Sequence, residues 1–147
     1  MSVGWLGRLP EGWQLVNDIS IEDGETNIDH VLVGPPGVFA VNAKSVNGHV
    51  WVGANGVRVN GHATDFVHSL VHEARRMSRL LTVALEHKVE VRPVLAILAD
   101  GWSVQEAHDD VFIGPPRGVK DWLCRLPSVL SLRDVAEIAA AAARLES

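Results

Sequence analysis

The residues most able to do chemistry lie between Ile28 and Lys44. Two runs rich in strand formers, Ile28 to Val33 and Val38 to Lys44, flank Gly34-Pro35-Pro36-Gly37, whose prolines cannot continue a ladder. Read as a hairpin with a four-residue loop, the pair sets Val33 opposite Val38, so facing residue numbers sum to 71. Asp29 then faces Asn42 with side chains about 5 Å apart, and the two-residue period brings Lys44 to the same side. A carboxylate, an amide and an ammonium group would converge on a face whose loop-side members, Val31, Val33, Val38 and Ala40, are apolar. One extra residue in either strand would send them to opposite faces, so the geometry requires an unbulged register. By themselves, Asp29 and Lys44 read more readily as a cross-strand ion pair, or as an aspartate satisfying turn donors, than as a site.

A second set of polar residues follows on a helix. His68, His72, Arg75 and Arg79 fall on one stripe, with Arg76 beside them, and could contact phosphates in a salt-dependent, sequence-independent way. The competing reading is a solvated face. His68, His72 and Glu73 do not make a zincin motif, because the second histidine of that pattern would fall at position 76, which is Arg76. Cys124 has no suitable histidine near it in sequence and reads as a core thiol, and His30 as a packed or hydrogen-bonded side chain. Gly-Pro-Pro-Gly lacks the backbone donors of a phosphate-cradling loop. Trp51, Trp102 and Trp122 form no recognisable stacking platform.

The elements that must position these residues are legible in outline. Trp13 to Ile19 reads as a strand, with turn chemistry at Asp23-Gly24-Glu25 before the hairpin that carries Asp29. His49 to Val52 and Val57 to Asn60 flank Gly53-Ala54-Asn55-Gly56 as a second hairpin. From Phe66 the period lengthens: Phe66, Leu70, Ala74, Met77, Leu81 and Ala84 share one stripe of a long helix. Val91 to Leu98 is a nearly continuous apolar run and reads as a central strand covered on both faces. Val111 to Ile113 predicts a short strand, Val119 to Leu126 a short helix ended by Pro127, and Ser131 with Asp134 a capping box opening a last helix. The repeated phrase Val-x-[Val/Ile]-Gly-Pro-Pro, at Val31 and Val111, reflects two similar turns rather than a duplicated unit, since a strand follows one and a helix the other.

Composition narrows the class. The chain has 147 residues, 47% hydrophobic and 21% charged, which predicts one globular domain over 1–147. It contains no run of about 20 apolar residues and no signal-peptide pattern at its start, so no membrane association and a cytoplasmic location are expected. One cysteine excludes an internal disulfide and a cysteine-based zinc framework. The net charge of -5 hides a gradient of -5, +3 and -3 over residues 1–35, 36–92 and 93–147. The basic middle leaves nucleic acid open as a partner.

The stretch N-I-D-H-V-L-V-G-P-P-G-V-F-A-V-N-A-K, Asn27 to Lys44, resembles the signature of the nuclease-related domain. The family form is similar to I-D-H, three hydrophobics, G-P-x-G-V, two hydrophobics and I-E-x-K, and it belongs with the restriction-endonuclease-like proteins bearing a D…(D/E)-x-K site. Gly48 and the basic helix also stand in family order, so the resemblance spans Trp13 to about Leu98. It implies an α/β fold with a restriction-endonuclease-like core, a mixed β-sheet flanked by helices. It also implies that Asp29 is the metal-binding aspartate and Lys44 the catalytic lysine. Mg2+ or Mn2+ would be held by two carboxylates and the main-chain carbonyl of Ala43. Asn42 departs from the pattern, standing where the family has its glutamate. At an effective dielectric of about 20 a charge pair at about 4 Å is worth about 4 kcal/mol before desolvation, so a net loss of about 2 to 3 would weaken the ion's binding roughly a hundredfold. Two further departures are an initial family helix reduced to Leu6-Gly7-Arg8-Leu9, and His68 at the position of a family glutamine.

Two functions follow from the resemblance. One is a metal-dependent nuclease-like phosphodiesterase, weakened by Asn42, acting on nucleic acid with DNA favoured. The other is a module on the same fold that binds nucleic acid or a protein without cutting. Either could be fused to further domains in a longer chain.

Overall fold

The computed structural model describes residues 9–20, 27–108 and 110–145, with the side chains of 17–20 and 27–29 outside that description. Along the chain come β1 (Gln14–Ser20), β2 (Asn27–Gly34), β3 (Gly37–Ser45), β4 (His49–Gly53), β5 (Gly56–Val59), β6 (His62–Ala63), α1 (Phe66–Leu85), β7 (Val91–Leu98), β8 (Gly101–Val104), β9 (Phe112–Gly114), α2 (Pro116–Arg125) and α3 (Leu132–Arg144). The class is α/β with mixed sheets and three helices among the described residues, consistent with a restriction-endonuclease-like core.

Two sheets form where the sequence suggested one. The larger has the order β1-β2-β3-β7-β9, antiparallel from β1 to β3 and parallel from β3 to β9. The smaller has the order β6-β5-β4-β8. It continues the parallel β3–β7 pair: Val46 N–H donates to Leu98 O at 2.9 Å, and Gly48 N–H donates to the Asp100 carboxylate at 2.8 Å. From there β4 and β8 leave side by side as a second parallel pair. Gly48 has a φ of 130°, and a Cβ there would run into Asn60, so this bend requires glycine. Strands β6 and β8 carried too few residues to show a period.

The first hairpin is tighter than expected. Gly34 pairs with Gly37, so the loop is the two-residue turn Pro35-Pro36 rather than four residues. The register is unchanged, because Val33 still faces Val38 and the pair numbers still sum to 71. Gly34 also lies beneath Trp13, whose ring occupies the space a Cβ would need.

Both faces of the larger sheet are covered. On one, Val31, Val33, Val38, Ala40, Leu95 and Ile97 join Leu70, Ala74, Met77 and Leu81 of α1 and Val135, Ile138 and Ala142 of α3. On the other, Leu32, Phe39, Val41, Val94 and Ala96 pack with Val119 and Leu123 of α2. The far end of α1 is tied to the start of β7: Thr82 Oγ1 accepts from Val89 N–H at 3.0 Å, and Ser78 Oγ donates to Val89 O. Helix α2 begins at Pro116, three residues before the expected Val119, since proline suits the first helical turn. Cys124 is exposed rather than in the core, because α2 buries only the i, i+4 pair Val119 and Leu123 and Cys124 lies one step round the helix. The capping box at Ser131 and Asp134 forms as its spacing predicts.

Candidate functional site

The site grows out of a change along β3. Val38 to Val41 are buried, whereas Asn42, Ala43 and Lys44 are half-buried, where the apolar packing against α1 and α3 gives out. Val38 and Ala40 face α1, so the strand period puts Asn42 and Lys44 on that side. Their ladder partners on β7 are Leu95 and Ile97, both fully buried. Lys44 Nζ stands 5.1 Å from the ring centroid of Phe66, the first residue of α1, which is cation–π distance. The contact fixes the ammonium beside the N-terminal turn of the helix, which contains no acidic residue.

Asn42 is the unusual member. Its Oδ1 is buried and, among the described residues, has no hydrogen-bond partner. An unsatisfied buried acceptor costs about 1 to 3 kcal/mol, so an oxygen left in this condition calls for an electropositive partner.

The β2–β3 ladder ends with His30 opposite Val41, and only an extension of that register by one step would set Asp29 against Asn42. The Asp29 side chain lies outside the described residues, so the expected approach of Asp29 to Asn42 does too. On the other flank, Asn17 faces His30 and Ile19 faces Ile28, which gives Asp18 the position opposite Asp29. Positions 18, 29 and 42 would form one row across three strands if the β2–β3 register continued one step past His30 and Val41. The sequence reading missed position 18 for want of a β1–β2 register. A signal existed, since a turn centred on Asp23-Gly24 gives pair numbers summing to 47, the sum seen for Gln14 with Val33.

His68, His72, Arg75 and Arg79 are all exposed on α1, while Arg76 is half-buried and leaves the stripe. Successive members rise by about 6, 4.5 and 6 Å along the helix, leading away from the turn that Lys44 touches. Among the described residues no three His, Cys, Asp or Glu side chains are grouped to hold a metal ion. The donors that β3 itself offers are the Asn42 oxygen and the Ala43 carbonyl, hard oxygens that suit Mg2+ or Mn2+ rather than zinc. The orphaned Asn42 oxygen fits such an ion.

The mixed sheets and three helices among the described residues are consistent with a restriction-endonuclease-like core. The family model for the nuclease-related domain matches residues 3–98, and the chain belongs to that family. The match takes in β1 through β7 with α1, the elements that surround Asn42 and Lys44. Comparison with curated proteins and with solved structures finds no match. No helix among the described residues is long and apolar enough to cross a membrane.

Proposed function

We propose that this domain is a divalent-metal-dependent phosphodiesterase acting on nucleic acid, DNA before RNA, with activity reduced by Asn42. The buried, unpartnered Oδ1 of Asn42 carries the reading, because it leaves a hard oxygen acceptor on the same face as Lys44. Asp29, Asn42 Oδ1 and the Ala43 carbonyl would hold Mg2+ or Mn2+, and Asp18 stands at the register position from which a second carboxylate could be supplied. The ion would lower the pKa of a bound water and offset phosphate charge. Lys44, held on the Phe66 ring, would stabilise negative charge on the scissile phosphate. His68, His72, Arg75 and Arg79 would guide the backbone toward it. The same reading treats residues 1–147 as one cytoplasmic domain that a longer chain could carry.

The test is a Mn2+ or Mg2+ titration followed by cleavage of plasmid DNA. Metal-dependent nicking that disappears in Asp29→Asn and in Lys44→Met supports the reading. Its absence in the parent, with salt-dependent DNA binding that Arg75→Glu with Arg79→Glu removes, assigns the fold to a non-cutting binding module. That second reading is favoured by one observation, the amide in place of the family's glutamate. Saturable DNA binding indifferent to both salt and charge reversal would return the helix face to solvent.

A further inference from the structure

A cavity of about 420 Å³ opens beside the edge strand β9, bordered by Phe112 and Trp122 of the α2-side cluster and by Val52 and Val111 of the α1-side cluster. Its Arg92 lies on the opposite face from Lys44: Arg92 pairs with Phe39, and Phe39 packs with the α2 side of the sheet, whereas Lys44 lies on the α1 side. The walls are largely apolar, including Val111, Phe112 and Val104, the last 62% exposed. Phe112 stacks on Trp122 with centroids 4.3 Å apart and planes 4° from parallel.

Polar groups are few and directional. The Arg92 guanidinium lies 5.0 Å from the Trp122 ring and 5.7 Å from the Phe39 ring. Among the described residues it has no carboxylate partner. A guanidinium carries a planar N–H fork that matches carboxylate or phosphate in two-point fashion. His108 Nδ1 accepts from Asp110 N–H at 3.1 Å, so a neutral ring carries its proton on Nε2 and offers a second donor. The Asp110 carboxylate borders the same cavity and disfavours a highly charged polyanion.

We propose that this cavity is a second binding site, for a small organic oxyanion with a flat apolar body, its anionic head on Arg92 and its body against the apolar wall beside Phe112 and Trp122. The volume suits a ligand of that size. Both parts of the ligand are required: the head alone meets one exposed cation, and the body alone leaves the fork unpaired.

Indole N–H resonances of the 15N-labelled chain, with Trp122 assigned by its loss in Trp122→Phe, provide the readout. Phenyl phosphate and benzoate are titrated beside inorganic phosphate and benzyl alcohol. The aryl anions should shift Trp122 saturably, and the tighter of the two identifies the head group. Inorganic phosphate and benzyl alcohol should each bind at least about tenfold more weakly, as should phenyl phosphate to Arg92→Gln, with only partial recovery in Arg92→Lys. An unchanged spectrum elsewhere shows that the variants fold. Inorganic phosphate binding as well as phenyl phosphate, an Arg92→Gln protein that binds like the parent, or no saturable shift up to about 10 mM would each overturn the site.

Discussion

Asp134 and Asn42 mark opposite ends of one face of the larger sheet, and the fold treats them in opposite ways. Asp134 borders a cavity of about 320 Å³ with Gly37 and Val38, where β3 begins. It is exposed and closes a capping box: Ser131 N–H donates to its carboxylate at 3.2 Å, and its own N–H donates to Ser131 Oγ at 3.1 Å. Asn42, five residues further along β3 than Gly37, keeps a buried oxygen with no donor among the described residues. A polar group that serves folding alone acquires partners, because an unmade hydrogen bond costs more than a made one returns. On the proposed reading the orphan is where an ion would bind, and the capped carboxylate is a folding device.

The largest expected effect comes from sharpening the contrast with Asn42→Glu. The added charge beside Asp29 should tighten Mn2+ or Mg2+ binding by about 2 to 3 kcal/mol, roughly a hundredfold, and raise nicking above the parent's. Stripped of metal, the variant should be slightly less stable than the parent, since carboxylates about 5 Å apart repel. Calorimetric titration with Mn2+ reads the first effect and thermal unfolding in EDTA the second. Asp29→Asn, or Asp18→Asn if position 18 contributes, should cancel the gain. A folded Asn42→Glu protein with parental metal affinity would mean that more than one ligand is absent, and the enzyme reading would give way to the binding module.

Asn42→Leu removes the orphan at nearly constant volume. Stability in the absence of metal should rise by about 1 kcal/mol or more, while any metal response disappears. A loss of stability would show that the oxygen is satisfied in solution and would erase the contrast with Asp134. Lys44→Met should cost less, about 0.5 to 1 kcal/mol for the Phe66 contact, yet abolish cleavage. Chemical denaturation and plasmid nicking measure the two separately.

These residues also show what the sequence could and could not reveal. The register from Gly34–Gly37 to His30–Val41 was legible because a strand period of two and a Gly-Pro-Pro-Gly turn leave little freedom, and the symmetric shortening of the loop to Pro35-Pro36 did not shift it. The capping box was legible because it is local, set by Ser131 and Asp134 three residues apart. The second sheet was not, because its parallel pairing of β4 with β8 depends on β3 and β7 ending together, a contact between distant segments. The contact of Lys44 with Phe66 likewise joins distant segments, and the helical stripe by itself marks Phe66 only as a core position. Exposure of Cys124 depended on how narrow the buried stripe of α2 is, which a ten-residue helix with proline at its start does not disclose.

The smallest effect tests the other half of the comparison and depends on pH. The Asp134 carboxyl is held below its ordinary 3.8, first by the Ser131 backbone N–H, then by the Ser131 side chain, with His87 and Arg133 adding to the same direction and desolvation acting against it. A carboxyl more acidic in the folded chain than in the unfolded one contributes stability that is complete above the unfolded value and is lost as pH falls through the folded value. Asp134→Asn removes that titration and keeps the shape. The variant should unfold at a lower temperature than the parent at pH 7, the gap should hold to about pH 5, and it should narrow between about pH 4 and pH 2 as the parent's carboxyl is protonated. Unfolding curves for both proteins across that range give the measurement. Asn42→Leu against the parent should show no such narrowing attributable to residue 42, since neither side chain titrates. A gap at Asp134 that stays constant down to pH 2 would mean that its charge does nothing for the cap, and the distinction between a served polar group and an orphaned one would then rest on Asn42 alone.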